Sequence, residues 1–237
     1  MKIGVLTGSV LPEGLDFGER IVNFHGTSSS GPARLKCDNG EFLIIARHGI
    51  PPAIPPNMVE HGANLDIFRK AGVDGVISIC STGALRNDVP VPSLCVPEDY
   101  IDLFSGVTVV RSAIQHATPS FDQGLRRALV QASKDLDKEV RDGGVYIQTR
   151  GPRLETKAEV RMLAGFADIV GMNLGSECTV ACEMDIPFAG MVTVDNYAHG
   201  INADHLDYRD ILLSAASRWE DMGEILIGAM EILAADR

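Results

Sequence analysis

Short runs of apolar, often β-branched residues recur along this chain, and this recurrence limits its possible folds more than any other feature. These strand candidates are Ile3–Leu6, Phe42–Ala46, Val76–Ile79, Leu94–Val96, Val145–Gln148, Ile169–Met172 and Phe188–Val194. Because the runs are apolar throughout, they are typical of strands covered on both faces, as in a mostly parallel sheet.

Helical patterns lie between these runs. One is expected to open at Pro55-Pro56, to point Met58, Leu65 and Phe68 inward, and to stop at Gly72. Two more are predicted over residues 121–136 and 156–164. In the last, Asp207 is the expected N-cap, and one apolar stripe comprises Ile211, Ala215, Trp219, Met222, Leu226 and Leu233.

This alternation of strands and helices predicts the α/β class. We expect residues 1–237 to form a single-domain sandwich with a central mixed, mostly parallel β-sheet flanked by helices. Active-site residues are then expected at the strand ends.

Charge and cysteine usage narrow the class of protein. The formal net charge of −11 disfavours binding to nucleic acid or to an anionic membrane. The N-terminus does not resemble a secretory signal, and no apolar run approaches the length of a membrane span. Five scattered cysteines, with no second pair beside Cys178 and Cys182, predict reduced thiols and no metal site. We therefore expect a cytoplasmic protein.

The segment Arg47-His48-Gly49 follows one of the buried strands. Arginine offers a planar fork of donors that matches phosphate, a neighbouring histidine adds another donor, and glycine lets the backbone approach a ligand. The same residues also suit an ordinary surface pair at a strand end.

Three further segments leave a functional and a structural interpretation open. The turn at residues 81–84 has small residues that suit an anion, or simply a strand-to-helix turn. Glu155 precedes a predicted helix, where the helix dipole alone favours a carboxylate. Asn196 lies in an ordinary-looking turn after a strand. The turn Thr7-Gly8-Ser9 lacks the spacing of a dinucleotide-binding loop, so a nicotinamide cofactor is not supported.

In order along the chain, ARHG, STGAL, GPRLET-x-AE, DIVGMN and VDNYAHG resemble the trimeric purine nucleoside phosphorylase and methylthioadenosine phosphorylase family. The resemblance extends over about residues 1–215, and GPRLET-x-AE is its most specific part. It implies a nucleoside phosphorylase-like fold and attack of phosphate on C1′ of a purine nucleoside. The products are a free base and a pentose 1-phosphate. It also implies a homotrimer or hexamer that needs no metal or organic cofactor.

The resemblance assigns roles to particular residues. The phosphate-binding residues that it implies are Ser9, Arg47, His48, Ser81 and Asn173. Met172 is expected beside the ribose, and Leu154, Glu155 and Asn196 are expected around the base. Asn196, Glu155 and His48 are the implied catalytic residues, with Asn196 stabilising the departing purine.

The base pocket favours a 6-oxopurine. A carboxylate at Glu155 accepts a hydrogen bond from N1–H of hypoxanthine or guanine, whereas adenine has no N1 proton. The amide of Asn196 donates to O6 or N7, where the 6-aminopurine relatives have an aspartate. Inosine, guanosine and 5′-methylthioinosine are therefore the predicted substrates. Placing Asp195 in that position instead, one residue earlier, would imply an adenine nucleoside.

The alternatives are a 5′-methylthioadenosine phosphorylase, a non-catalytic purine nucleoside binder and a nucleosidase that uses water, which would leave Arg47 without a purpose. Two departures from the family motivate the binder: Val10 replaces a glycine, and Asp195 stands where threonine is more usual. For the 5′ group of the substrate, the resemblance points to residues 205–208 at the start of the last helix and to residues 114–117 of a neighbouring subunit. Leu206 and Tyr208 suit a methylthio group there, and His116 or His205 a hydroxyl.

Overall fold

The computed structural model describes residues 1–8, 15–16, 21–22, 32–50, 52–112, 114, 116–202 and 208–236, of which residues 15–16, 21–22 and 208 are described by their backbone alone. The predicted phosphate ligand Ser9 lies outside these residues, as do Val10, Gln115, His205, Leu206 and Asp207.

Twelve strands and six helices are formed by these residues. The strands are β1 (Lys2–Thr7), β2 (Leu15–Asp16), β3 (Ile21–Val22), β4 (Ala33–Cys37), β5 (Gly40–Ala46), β6 (Gly75–Ala84), β7 (Ser93–Val96), β8 (Asp99–Asp102), β9 (Val140–Asp142), β10 (Val145–Gln148), β11 (Ile169–Gly171) and β12 (Phe188–Tyr197). The helices are α1 (His61–Ala71), α2 (Gln123–Asp135), α3 (Lys157–Leu163), α4 (Leu174–Glu183), α5 (Tyr208–Ser217) and α6 (Trp219–Ala235).

Ten of the strands form one sheet. Its order is β4-β5-β1-β6-β11-β10-β8, with β12 also paired to β6, β7 to β12 and β9 to β7. Strands β5, β1, β6 and β12 are joined by parallel pairs, as are β8, β10 and β11, whereas β4–β5, β11–β6 and β12–β7 are antiparallel. The predicted mixed, mostly parallel sheet is confirmed.

Both faces of this sheet are buried, as the apolar strands indicated. Ile3 and Val5 of β1 face a core formed with α2 and α6. Leu6 of the same strand contributes to the opposite core, together with Leu65 and Phe68 of α1. Because neighbouring positions of β1 enter two different cores, none of them is free to be polar.

All seven predicted strands are present, and several are longer than expected. The first predicted helix begins only at His61, after a separate 3-10 turn over Pro56–Met58, and it ends at Gly72 in a left-handed conformation with φ 65°. Met58 is 61% exposed, so the prediction that it points inward was wrong. The turn that carries Met58 is outside the helix and does not share its buried face.

The C-terminal segment that carries the apolar stripe forms two helices rather than one, because the helix is interrupted at Arg218 between α5 and α6. The members of the stripe from Ile211 to Leu226 are nevertheless buried. Helix α4 was not predicted. Because α4 is buried on most sides, its sequence has no periodic polar face that would mark it as a helix. Among the described residues, no helix combines the length and apolar character needed to cross a membrane.

Candidate active site

A cavity of about 610 Å³ opens where β5, β6, β11 and β12 end. Its volume falls within the range of small-molecule sites, about 300–1,000 Å³. The predicted site residues among those described all line it: Arg47, His48, Ser81, Leu154, Glu155, Met172, Asn173 and Asn196. Residues 52–56, which the sequence did not single out, also line it.

Ser81 lies within a strand and not in a turn. Strand β6 continues from Gly75 to Ala84, so the expected strand-to-helix turn at residues 81–84 is corrected. Strand β12 pairs with β6 along this whole stretch, and its hydrogen bonds keep the segment extended. Gly83 faces the cavity beside Asn196, whose Nδ2 would lie only 3.3 Å from a Cβ at position 83.

A β-bulge at Asp195 sets the direction of the next side chain. Val194 pairs with Thr82 and Asn196 pairs with Gly83, so Asp195 has no partner in the register. Such a bulge re-aims the residues around it. Asp195 is 6% exposed and is not among the residues lining the cavity, whereas Asn196 lines it.

Arg47 is held in a buried ion pair. Its Nε donates to Glu177 Oε1 at 2.6 Å, and both side chains are fully buried. Further N–H groups donate to the carbonyl oxygens of Leu6 and Ile79 and to Ser78 Oγ. One N–H of Nη1 has no acceptor among the described residues, so Arg47 keeps at most a single donor for a ligand and does not present an open fork.

Glu177 is a functional candidate that the sequence analysis missed. Ser78 Oγ donates to its Oε2 at 2.5 Å. Burial alone would raise the pKa of Glu177, but the charge of Arg47 and these hydrogen bonds lower it to about 2. The available signal was a carboxylate in an otherwise small and apolar segment, LGSECTVAC.

His48 is neutral in this setting. It is 5% exposed, and burial followed by the positive charge of Arg47 lowers its pKa to about 4. Its Nδ1 lies 2.8 Å from the carbonyl oxygen of Ile54, so Nδ1 carries the proton and donates it. The other ring nitrogen, Nε2, is then a hydrogen-bond acceptor. Arg47 and His48 are both buried and are therefore not an ordinary surface pair.

Asn173 and Met172 follow β11 at the cavity wall. Asn173 occupies the N-cap position of α4 without capping it through its side chain. Its Oδ1 is buried and has no hydrogen-bond partner among the described residues. Its backbone N–H donates to the hydroxyl of Tyr146, which fixes the start of the helix.

Glu155 is positioned by a threonine and does not cap a helix. Thr149 Oγ1 donates to Glu155 Oε1 at 2.6 Å, which leaves the other carboxylate oxygen for a second donor. The cap of α3 is Thr156, in a capping box with Glu159, so the structural alternative, in which Glu155 caps the helix, does not hold. Glu155 is 8% exposed, and Leu154 beside it is 46% exposed.

The amide of Asn196 is partly committed. Its Nδ2 donates to the carbonyl oxygen of Tyr197 at 2.9 Å. One N–H of the amide and the carbonyl Oδ1 remain for a ligand. The cavity therefore contains a carboxylate acceptor at Glu155 and an amide with both functions at Asn196.

The Asp195 side chain contacts Ser81 and does not line the cavity beside Glu155 and Asn196. Ser81 Oγ donates to Asp195 Oδ2 at 2.5 Å, and Thr193 Oγ1 donates to the same oxygen at 2.8 Å. Burial raises the pKa of Asp195 to about 6, and the two hydroxyls offset part of that rise. At pH 7.5 the carboxyl is mostly ionised.

The stretch at residues 114–117 is expected to reach the 5′ group from a neighbouring subunit, and its described residues do not line the cavity of their own chain. Ile114 and His116 are exposed and do not line this cavity. Tyr208 is described by its backbone alone. Conversely, His199 and Ile211 line the cavity without having been predicted to do so. Within the described part of the chain, no group of three or more His, Cys, Asp or Glu side chains is arranged to hold a metal ion.

Several known proteins are similar to this chain. Over 197 residues the chain is 46% identical to a probable 6-oxopurine nucleoside phosphorylase of Archaeoglobus fulgidus, covering 83% of this chain and 80% of the relative. It is 28% identical over 247 residues to a probable S-methyl-5′-thioinosine phosphorylase of Thermodesulfovibrio yellowstonii, covering 100% and 93%. It is 31% identical over 210 residues to an S-methyl-5′-thioadenosine phosphorylase of Saccharolobus solfataricus, covering 83% and 77%.

The fold is similar to that of a solved methylthioadenosine phosphorylase from Schistosoma mansoni in complex with adenine. The TM-score is 0.86 at 20% identity, and the match covers 100% of this chain and 92% of the other. The sequence model of the Phosphorylase superfamily matches residues 2–231 of this chain. The chain belongs to the Phosphorylase superfamily.

Proposed function

We propose that this chain, as a single domain of residues 1–237, is a 6-oxopurine nucleoside phosphorylase. It cleaves inosine, guanosine or 5′-methylthioinosine with phosphate, giving a free purine and a pentose 1-phosphate. The observation that carries the proposal is that Glu155 and Asn196 line one cavity together with Arg47, His48 and Ser81. No metal or organic cofactor is required for this chemistry, and phosphate is the cosubstrate.

The base end of the proposed site distinguishes 6-oxopurines from adenine. Thr149 fixes one oxygen of Glu155, and the other accepts from N1–H of the purine. The free N–H of Asn196 donates to O6 or N7, and its carbonyl accepts once N7 is protonated. Bound adenine leaves the Glu155 carboxylate without a donor, and such a mismatch costs roughly 10⁴-fold in specificity.

At the other end, the proposed phosphate site contains few free donors. The Nη1 of Arg47 contributes one N–H, and Asn173 and Ser9 are the further predicted ligands. Catalysis then consists of positioning phosphate below C1′ and stabilising negative charge on the departing base, for which Asn196 is the proposed residue. Because Glu177 gives Arg47 a structural purpose, the presence of Arg47 does not argue against a nucleosidase, and phosphate dependence has to be measured.

The part of the cavity proposed to hold the 5′ group of the substrate favours an apolar group. Ile211 in the first turns of α5 is 9% exposed and lines the cavity. The start of this helix is the stretch that the resemblance assigns to the 5′ group. We therefore propose 5′-methylthioinosine as the best of the 6-oxopurine substrates.

The test is a substrate panel at saturating phosphate, comprising inosine, guanosine, 5′-methylthioinosine, adenosine and 5′-methylthioadenosine. Base release is expected from the three 6-oxopurine nucleosides, with kcat/KM for 5′-methylthioinosine roughly 10⁴-fold above that for 5′-methylthioadenosine. Faster cleavage of 5′-methylthioadenosine would contradict the proposal. It would favour the second candidate, a 5′-methylthioadenosine phosphorylase, which the similarity to the Saccharolobus solfataricus enzyme supports.

Binding without turnover of any substrate would instead support the non-catalytic binder. We also propose a cytoplasmic homotrimer or hexamer. Cys80, Cys95, Cys178 and Cys182 are free thiols, which fits a reducing compartment. Large apolar side chains such as Met58, Leu103 and Ile114 are exposed, which suits burial between subunits. Light scattering of the purified protein measures the assembly directly.

A further inference from the structure

A buried carboxylate lies directly behind the proposed phosphate site. Ser81 on β6 pairs with Thr193 on β12, and the bulge turns Asp195 toward both hydroxyls. Ser81 lines the cavity, whereas Asp195 does not. Within the described part of the chain, Ser81 therefore connects Asp195 to the cavity.

The hydrogen bond to Asp195 determines what Ser81 offers to a ligand. A serine hydroxyl has one proton and two lone pairs. In this structure the proton is donated to Asp195 Oδ2 at 2.5 Å, so only lone pairs remain toward the cavity. Ser81 Oγ is thus an acceptor at a position where an anion site would ordinarily place a donor.

A second acceptor lies in the same cavity wall. His48 is neutral and donates through Nδ1 to the carbonyl of Ile54, which makes Nε2 an acceptor. Two acceptors, supported by independent contacts, are unfavourable for an anion that has no proton of its own. They are favourable for an anion that carries an O–H group.

Hydrogen phosphate and dihydrogen phosphate carry P–OH donors at neutral pH, whereas sulfate of the same size and shape carries none. We propose that Asp195 is a positioning residue which, by taking the Ser81 proton, makes this site select protonated phosphate over sulfate. The inference rests on the proposed function, because it takes the cavity wall formed by Ser81 and His48 as the phosphate site. It also gives a role to the acceptor oxygen at position 195, where the family more usually has threonine.

The test compares sulfate with phosphate in four variants at pH 8. Asp195→Ala frees the Ser81 proton for donation to either anion. The ratio of the sulfate Ki to the phosphate KM is expected to fall roughly 10- to 100-fold, the range that one unmatched buried polar contact spans. Asp195→Asn is the matched control, because its amide oxygen can still accept from Ser81 and Thr193. It is expected to keep the wild-type ratio.

The Ser81→Ala variant distinguishes the proposed effect of Asp195 on anion selectivity from a purely structural role of Asp195. Without the Ser81 hydroxyl, adding Asp195→Ala is expected to leave the sulfate-to-phosphate ratio unchanged, although stability changes. An Asp195→Ala ratio within about twofold of wild type overturns the inference, as does an Asp195→Ala effect that persists without the hydroxyl.

Calorimetric titration of the same proteins with inorganic phosphate and with sulfate separates this inference from the proposed function. If wild-type protein binds phosphate in preference to sulfate but does not turn over nucleosides, the proposed reaction fails while the anion selectivity stands. If turnover is normal and Asp195→Ala leaves the affinity ratio unchanged, the inference alone fails. Equal affinity of the wild-type protein for both anions also overturns it.

Discussion

Replacing Glu177 with glutamine removes the charge that compensates Arg47 while keeping nearly the same shape. The guanidinium of Arg47 is fully buried, and its Nε donates to the carboxylate at 2.6 Å. Glutamine retains one acceptor oxygen. Its amide nitrogen then faces Arg47 Nη2 and the Ser78 hydroxyl, both of which donate to Glu177 Oε2 in the native protein.

The magnitude follows from burial. Removing one partner of a buried ion pair typically costs about 3–5 kcal/mol, because the remaining charge is left uncompensated. Arg47 keeps its hydrogen bonds to two carbonyl oxygens, so we expect Glu177→Gln to lower the free energy of unfolding by about 3 kcal/mol. Asp66→Asn is the matched control, since Asp66 pairs with Arg69 and Lys70 at the surface, where water screens the charges, and the substitution is expected to cost much less than Glu177→Gln.

Urea denaturation at pH 7.5 measures both variants. The double variant Arg47→Met, Glu177→Leu replaces both charges with apolar groups, and it is expected to recover most of the lost stability but none of the phosphate binding. If Glu177→Gln costs no more than Asp66→Asn, the buried pair is not what holds Arg47. The assignment of Glu177 as its positioning residue would then be refuted.

Three more changes test individual contacts. Asn196→Ala is expected to lower kcat roughly 10²-fold or more in single-turnover assays, and Asn196→Asp to raise activity toward adenosine relative to inosine; a near-normal kcat would remove Asn196 from the mechanism. Thr149→Val releases Glu155 from its 2.6 Å hydrogen bond and should lower kcat/KM for inosine about 10-fold, reducing the preference over adenosine; an unchanged preference would contradict this positioning role. Burial raises the pKa of Asp195 from 3.8 to about 6, so the folded state binds more protons than the unfolded state between these pH values, and the free energy of unfolding falls by about 3 kcal/mol as pH rises through them. Asp195→Asn is expected to lose this fall in urea denaturation from pH 4 to 7, and a pH profile identical to that of the wild type would count against the burial argument.

Much of the architecture follows from the sequence for one physical reason. Strands that are buried on both faces are apolar at most positions, as Ile3, Val5 and Leu6 illustrate, and such runs are easily recognised. Helix α2 lies within the predicted range of residues 121–136 because one face is apolar and Asp122 caps its start. Helix α4 escaped prediction since it is buried on most sides and has no periodic polar face.

The site is less predictable because it depends on contacts between distant strands. The motifs brought Glu155, Asn196 and His48 together, but no local pattern indicates that Thr149 positions Glu155 or that Glu177 pairs with Arg47 across 130 residues. The bulge at Asp195 is likewise a property of the pairing between β6 and β12. Sequence motifs therefore identified ligands for the substrate, whereas the residues that orient those ligands required the structure.

The most direct test of the proposed reaction is the fate of the sugar. Purified protein is incubated with inosine, and separately with 5′-methylthioinosine, with and without phosphate, while ³¹P NMR and base chromatography follow the products. The account predicts that pentose 1-phosphate and hypoxanthine appear in equal amounts and only when phosphate is present. Free pentose released without phosphate would show hydrolysis instead, and would contradict the assignment of this cavity to phosphorolysis.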